Sequence, residues 1–126
     1  MAGKASAASQ ADEQEASAPS TIRCAHCRAV VTHSHHAVVH AGSHRHTFAN
    51  PHGYIFRVRC FSSAEGCMLV GRPTLAHSWF PGLAWLLGGC RRCGAHLGWG
   101  FVDDSGELQV YSLIADQLID GADRTG

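Results

Sequence analysis

The stretch that decides the fold is CRRCGAHLGWGF at residues 90–101, which opens on the pair Cys90 and Cys93. A second pair with the same spacing, Cys24 and Cys27, lies near the start of the chain. Each pair can present two thiolates from one tight turn, and four thiolates complete a tetrahedral shell that suits Zn²⁺. Because four cysteines leave no open position for water, the spacing predicts one structural zinc ion and no catalytic metal.

Two further cysteines, Cys60 and Cys67, belong to no metal-binding or redox motif. The N-terminal segment lacks the apolar core of a signal peptide, so we expect a cytoplasmic location, where disulfides are disfavoured. We therefore expect Cys60 to be a small buried residue within a strand and Cys67 to lie at a turn.

Composition limits the partners that this chain can bind. Its 126 residues contain ten Lys plus Arg and ten Asp plus Glu, with no basic run. Nucleic-acid binding and membrane binding are therefore not expected, and no apolar stretch approaches the roughly 20 residues of a transmembrane helix. The length fits one domain, which we place at residues 21–118. Residues 1–20 are predicted to be a disordered tail because they lack large apolar side chains, and residues 119–126 a flexible C-terminus.

Periodicity favours strands. Apolar and polar residues alternate from Tyr54 to Cys60, and residues 98–102 and 107–114 flank a polar turn, which indicates a hairpin. Residues 29–40 fit one or two strands, and the one helical candidate is a short turn at 83–87. The sequence therefore predicts an all-β domain of short antiparallel strands whose ends are tied together by the metal.

Six of the ten histidines are concentrated in one strand–turn–strand region and show no repeated ligand spacing. We interpret them as exposed strand and loop histidines rather than a second metal site, with at most weak affinity for nickel or zinc. They are His33, His35, His36, His40, His44 and His46.

All three tryptophans lie within 21 residues, around the second cysteine pair. Trp99 and Phe101 are two apart in a predicted strand and therefore project from the same face. Trp79 and Trp85 flank a Pro-Gly turn that can bring their indoles together. These rings form either a core cluster or a cage around a ligand.

Two features favour the cage. Glycines beside the rings would leave space for a ligand and permit close backbone approach, and they are Gly82, Gly98 and Gly100. Cages for methylated amines recruit carboxylates, but residues 66–102 contain no Asp or Glu. The pattern therefore favours a neutral, flat and compact ligand.

At this point several motifs match one family. The runs HSWFPGLAW at 77–85, NPHGY at 50–54, GRP at 71–73 and CGAHLGWGF at 93–101 resemble the thalidomide-binding domain, or CULT domain, of the cereblon family. The resemblance covers roughly residues 22–118. It implies a zinc-bearing β-tent, two antiparallel sheets that meet at an angle, with the four paired cysteines as ligands.

The resemblance also implies a function and a set of site residues. Three tryptophan walls, closed by Phe101, would hold a cyclic imide that hydrogen-bonds to the backbone at His77 and Trp79. Candidate ligands are glutarimide and thalidomide-type rings, cyclic imides at protein C-termini and uracil-like rings. The implied binding residues are Asn50, Pro51, His77, Ser78, Trp79, Trp85, Trp99 and Phe101. Cereblon's protease-like and helical regions have no counterpart in this sequence, so no ubiquitin ligase adaptor is expected as a partner.

Two other functions stay open. Residues 90–98 also resemble the zinc-knuckle stretch of B-type methionine sulfoxide reductases, but the following strand carries Ser112 where such an enzyme needs a nucleophilic cysteine. A zinc module of the Yippee type for protein interactions would share the cysteine pairs without requiring the tryptophans. A binding module that is not an enzyme is the reading that we prefer.

Overall fold

The computed structural model describes residues 20–121, and within this range the predicted all-β class is confirmed. Two 3₁₀ turns, Ser34–His36 and Ala115–Gln117, interrupt the strands. The predictions for residues 1–19 and 122–126 lie outside the described residues. The strands are β1 (Thr21–Cys24), β2 (Val30–His33), β3 (Arg45–Ala49), β4 (Ile55–Phe61), β5 (Cys67–Thr74), β6 (Ala84–Cys90), β7 (His96–Val102), β8 (Leu108–Ile114) and β9 (Leu118–Asp120).

Two antiparallel sheets make up the domain. The small sheet has the order β2-β1-β9, and the large sheet has the order β3-β4-β8-β7-β6-β5. The predicted hairpin is present as β7 and β8, which pair from Gly98 with Leu113 to Val102 with Leu108. Because β1 pairs with β9, the described residues at the two ends of the chain lie side by side.

The helical candidate at residues 83–87 is wrong, since most of it belongs to strand β6. β6 pairs with β5 on one side and with β7 on the other, so its backbone hydrogen bonds are satisfied by neighbouring strands. Non-local pairing overrides the weak local preference there. Cys67 lies at a turn as expected, since its backbone N–H donates to the Ala64 carbonyl oxygen over 3.0 Å, and it also begins β5 opposite Cys90.

The large sheet carries a hydrophobic cluster on each face. One cluster joins Phe61, Leu97 and Leu113 to Ile22 and Val31 of the small sheet. The other gathers Trp99, Phe101 and Val58 beneath the loop that contains Phe80. The small sheet therefore covers one face of the large sheet, and an aromatic loop covers part of the other.

The C-terminal strand is held by more than backbone pairing. β9 extends two residues beyond the predicted domain end at 118, and its Asp120 accepts a 2.6 Å hydrogen bond from the Arg59 guanidinium of β4. The Arg59 side chain is 10 % exposed and also packs over the Phe61 ring. This ion pair links the two sheets at the end of β9.

A substitution at Gly98 is expected to destabilise the domain strongly. A Cβ at this position would overlap the Ser112 carbonyl oxygen and lie 2.8 Å from the Leu113 Cα, both in the backbone of the neighbouring strand. We expect Gly98→Ala to lower the free energy of unfolding by at least about 3 kcal/mol, since backbone atoms cannot move aside cheaply. Denaturant unfolding of both proteins measures the difference.

Gly106→Ala is the matched control, because Gly106 also has a positive φ, of 89°, but has no atom within 4 Å of the added Cβ. Its cost should be only the conformational strain of about 1 kcal/mol. Equal losses of stability in the two variants would contradict a steric role for Gly98.

Candidate functional site

Strands β6 and β7 build the floor of an aromatic pocket. In their register Trp85 stands opposite Phe101 and Leu87 stands opposite Trp99. Directly paired residues, and residues two apart on one strand, project from the same face of a sheet. Local strand geometry therefore places these four apolar side chains together on the face that the small sheet does not cover.

The loop at residues 75–83 supplies the facing wall. The Trp79 ring meets the Trp99 ring edge to face, with centroids 4.6 Å apart and planes at 72°. On its other side Trp79 stacks on Phe48 at 4.6 Å, and its indole Nε1 donates to the Ala49 carbonyl oxygen over 3.3 Å. These contacts fix the plane of the indole from both sides.

Trp85 is held differently. Its Nε1 donates a 2.8 Å hydrogen bond to the Ala76 carbonyl oxygen, which ties strand β6 back to the start of the loop. The described residues make no aromatic ring contact with Trp85, whereas Trp99 contacts three other rings. One indole is therefore packed into a cluster and the other stands half-buried at the edge of the pocket.

The space between these rings is a pocket of about 310 Å³. The structure brings seven of the eight implied binding residues to its lining. It adds three that the sequence reasoning missed, namely Phe56, Leu87 and His96. The lining residues are Asn50, Pro51, Phe56, His77, Trp79, Trp85, Leu87, His96, Trp99 and Phe101.

The eighth implied residue, Ser78, lies behind the wall rather than in it. Its hydroxyl lies 2.6 Å from the Leu83 carbonyl oxygen and 3.1 Å from that of Phe80, and its backbone N–H donates to the Leu75 carbonyl oxygen. Ser78 therefore holds the loop closed across the Pro-Gly turn. Asn50 has a similar part in the neighbouring loop, since its Oδ1 accepts from the N–H groups of residues 52 and 54.

The loop that lines the pocket has an unusual backbone conformation at His77. His77 has a φ of 59°, which is uncommon for a residue other than glycine. Within residues 20–121 the backbone N–H and C=O groups of His77 and Trp79 have no hydrogen-bond partner. Strained, unpaired backbone beside a cavity is typical of ligand sites.

The pocket contains no carboxylate, because none of its lining residues is acidic. Its titratable side chains are two histidines. The His96 ring packs edge to face on Trp99 with centroids 4.9 Å apart, and its Nε2 lies 3.0 Å from the Gly98 carbonyl oxygen. A cationic ligand would find aromatic faces in this pocket but no carboxylate to balance its charge.

The glycines around the rings act differently from the sequence-based expectation. A Cβ at Gly100 would meet Leu69 at 2.5 Å, on the face of the sheet turned away from the pocket. Gly82 has a φ of 86° and open space around it, so it serves the turn. Of the two roles expected for these glycines, only close approach to another backbone is observed, between Gly98 and the Ser112 carbonyl oxygen.

The second site is a group of four cysteines at the junction of the two sheets. Their sulfur atoms lie within 4.8 Å of one another, and none is in a disulfide. The Cys24 and Cys93 sulfurs are 3.7 Å apart, and those of Cys27 and Cys90 are 3.6 Å apart. Four sulfurs at about 2.3 Å from a tetrahedral metal lie about 3.8 Å from each other, so the group can hold a metal ion of that kind.

Backbone N–H groups already point at these sulfurs. His26 donates to the Cys24 sulfur over 3.4 Å, and Ala95 donates to the Cys93 sulfur over 3.5 Å. At Cys90 burial raises the pKa, but hydrogen bonds from the backbone N–H groups of Cys93 and Arg92 and from the Cys27 thiol outweigh it and bring the pKa to about 7. This arrangement favours a thiolate at Cys90, the form in which cysteine binds metals.

The two remaining cysteines, Cys60 and Cys67, are buried, and burial disfavours their thiolate forms. Burial, together with the nearby Cys90, raises the pKa of Cys67 to about 12, and burial also raises the pKa of Cys60. Ser112, at the position where a reductase would need its cysteine, is fully buried with its Oγ 3.9 Å from the Cys60 sulfur. No sulfur nucleophile therefore faces the aromatic pocket from these positions.

Comparison with known proteins gives relatives for part of the chain. Protein cereblon from Danio rerio is 46 % identical over 54 residues, from Gallus gallus 50 % over 54 residues, and from Drosophila erecta 36 % over 81 residues. The matches cover 43 % of this chain for the two vertebrates and 61 % for the fly. They span 12 % of the length of each cereblon. No family model matches the chain.

Among solved structures, the Mis18 Yippee-like domain superposes with a TM-score of 0.52 over 83 % of this chain and 97 % of that domain, at 16 % identity. At this identity the likeness concerns the fold alone. No helix in residues 20–121 is long and apolar enough to cross a membrane. The chain is therefore similar to part of protein cereblon, and it combines this similarity with a two-sheet fold, a four-cysteine group and an aromatic pocket.

Proposed function

We propose that this protein is a binding module that captures a cyclic imide in the aromatic pocket and catalyses no reaction. One combination of features carries the proposal. Three indoles line a pocket that has no carboxylate, and the backbone groups of His77 and Trp79 beside it have no hydrogen-bond partner within residues 20–121. The volume of about 310 Å³ suits a single five- or six-membered ring with substituents.

The chemistry of an imide fits this lining. One edge of the ring presents an acceptor, a donor and a second acceptor, and its methylene groups are apolar. Backbone N–H and C=O groups of the loop can satisfy the polar edge, while the indole faces pack on the methylenes. Because the rings exclude water, each of these hydrogen bonds contributes more than it would at an exposed surface.

We propose further that the four cysteines hold one Zn²⁺ with a structural role. The spacing of the sulfurs and the donor set suit zinc, and all four coordination positions are filled by protein. The ion would join Cys24 at the end of β1 to Cys90 at the end of β6, and so fix the small sheet against the large one. It would thereby support the strand that carries Trp85.

The natural ligand is proposed to be a cyclic imide at a protein C-terminus or a uracil-like ring. Both present the same polar edge as glutarimide. A peptide ligand has a route out of the pocket, because Trp85 and Leu87 stand at an exposed edge and Leu87 is 45 % exposed.

A calorimetric titration with glutarimide tests the proposal. We expect saturable binding of one equivalent to the metal-loaded protein, and at least about tenfold weaker binding of N-methylglutarimide. The methyl group removes the N–H donor and adds bulk at the polar edge, while the rest of the ring is unchanged.

Two outcomes would contradict the proposed binding. Failure of glutarimide to bind folded protein would exclude the imide function, and equal affinity for both compounds would exclude recognition through the imide edge. Chemical turnover of the bound ring, followed by mass spectrometry, would contradict the statement that the protein is not an enzyme.

A further inference from the structure

A second cleft shares no lining residue with the aromatic pocket. It has a volume of about 540 Å³ and lies between strand β2 with its following 3₁₀ turn, the β4–β5 loop and the second cysteine pair. Its side chains include three histidines, two arginines and one glutamate. They are His33, His35, His36, Arg91, Arg92 and Glu65.

The three histidines of this cleft form a cluster. The ring centroids of His35 and His36 are 4.0 Å apart, those of His33 and His35 5.7 Å, and those of His33 and His36 6.2 Å. Three imidazoles on one tetrahedral metal, each with a metal–nitrogen distance of about 2.0 Å, have centroids about 5 Å apart. The observed separations bracket this value.

The ring nitrogens of these histidines have no hydrogen-bond partner within residues 20–121. This sets them apart from most of the other histidines, since the rings of His26, His44, His46 and His96 are each bonded to a protein oxygen. Neutral imidazole with a free nitrogen is the commonest metal ligand in proteins. Three such rings in one cleft leave their nitrogens available to a metal ion.

We propose that His33, His35 and His36 bind one late first-row divalent metal ion, such as Ni²⁺ or Zn²⁺, at a site separate from the four cysteines. The cysteine group is the only one in the described chain whose ligand atoms already lie within 4.8 Å of one another. The histidine site is therefore completed by rotation of half-exposed side chains when the metal binds. Such a site binds weakly and reversibly, with a Kd expected near the micromolar range.

The charged residues of the cleft bear on whether it could bind an anion instead of a metal ion. The Arg91 side chain is engaged with the Glu65 carbonyl oxygen at 2.9 Å and with the Met68 sulfur, so it is turned along the surface. The Glu65 side chain lines the same cleft and would oppose an anion. Arg92 also lines the cleft and attracts anions, so the preference for a metal ion rests on the three unpartnered imidazoles rather than on the charge of the cleft.

The test uses the full chain without a polyhistidine tag, with its cysteine site loaded by one equivalent of zinc. We expect calorimetry with Ni²⁺ to show one saturable site. In His33→Ala/His36→Ala the affinity should fall by about tenfold or more. The matched control is His52→Ala, which removes an exposed histidine from outside the cleft and should leave the affinity unchanged.

Three results would overturn the inference. The first is unchanged Ni²⁺ affinity in the double variant, and the second is uptake of Ni²⁺ that releases an equivalent of zinc from the cysteines. The third is saturable binding of inorganic phosphate that the double variant loses, without saturable Ni²⁺ binding, since the cleft would then be an anion site. Far-UV circular dichroism of the double variant separates loss of ligands from loss of fold.

Discussion

Replacing Cys24 with serine is expected to unfold the domain at ordinary temperatures. Structural zinc in small domains contributes on the order of 10 kcal/mol to folding, whereas a domain of this size has a net stability of about 5–15 kcal/mol. Removing one ligand would therefore take away most of the stability. Thermal unfolding followed by circular dichroism, with zinc content measured on the same samples, checks the result.

Cys60→Ser is the matched control for this experiment. Both cysteines are fully buried, but Cys60 lies in β4 against Ser112 and outside the four-cysteine group. Its replacement buries a hydroxyl group that has a possible partner, and should cost about 1–3 kcal/mol with zinc content unchanged. A Cys24→Ser protein that stays folded, or equal losses in the two variants, would contradict a structural metal at the four cysteines.

Truncation of Trp85 is expected to weaken imide binding with a smaller effect on folding than truncation of Trp99. Trp85 is half-buried and makes no aromatic ring contact within residues 20–121, so its ring contributes mainly a wall of the pocket. Loss of an aromatic anchor in a binding site costs about 2–4 kcal/mol, which corresponds to roughly 30- to 1000-fold in affinity. Glutarimide titration of Trp85→Ala measures this loss.

Two further variants serve as comparisons, one outside the pocket and one in both the pocket and the core. Tyr54→Ala removes a ring that is 67 % exposed and lies outside the pocket lining, so binding should be unchanged. Trp99→Ala removes a ring that is 8 % exposed and packs on Trp79, so it should lose about 3–5 kcal/mol of stability in addition to binding. Full affinity in Trp85→Ala would show that the ligand does not contact this wall.

Most of the candidate site could be predicted from the sequence because its residues lie in compact motifs. Trp99 and Phe101 share a face through the two-residue period of a strand, and the loop motif carries both Trp79 and Trp85. Of the three missed residues, Phe56 and Leu87 lie outside the family motifs, and His96 lies within the motif at 93–101 but had no assigned role. Leu87 enters the pocket only because β6 is a strand paired with β7 in a register that sets it opposite Trp99.

Residues that line the pocket could not be distinguished, from the sequence alone, from residues that support its loops. Ser78 stands within the loop motif and was expected in the binding set, yet its hydroxyl is used on the Leu83 carbonyl oxygen. Glycine at position 100 was expected to leave space beside the rings, but the space is filled by Leu69 on the far face. Membership of a residue in a motif therefore does not show whether its side chain lines the pocket or supports it from behind.

By itself the sequence determined the features that depend on local geometry. The two cysteine pairs specify a four-thiolate group because each short turn presents two sulfurs, and four ligands are what a tetrahedral metal requires. The alternation from Tyr54 to Cys60 and the polar turn at 103–106 specify strands and a hairpin for the same reason, since side-chain direction in a strand follows from chain position alone.

Only the tertiary structure decided which faces are covered and what lies across from them. Arg59 falls on the polar side of its alternation and was expected outside, yet it is 8 % exposed because that side packs toward the small sheet and its charge is met by Asp120. The contact of Trp79 with Trp99 and the position of Leu87 in the pocket depend equally on parts of the chain that are distant in sequence. Burial is a property of what packs against a residue, and that partner lies elsewhere in the chain.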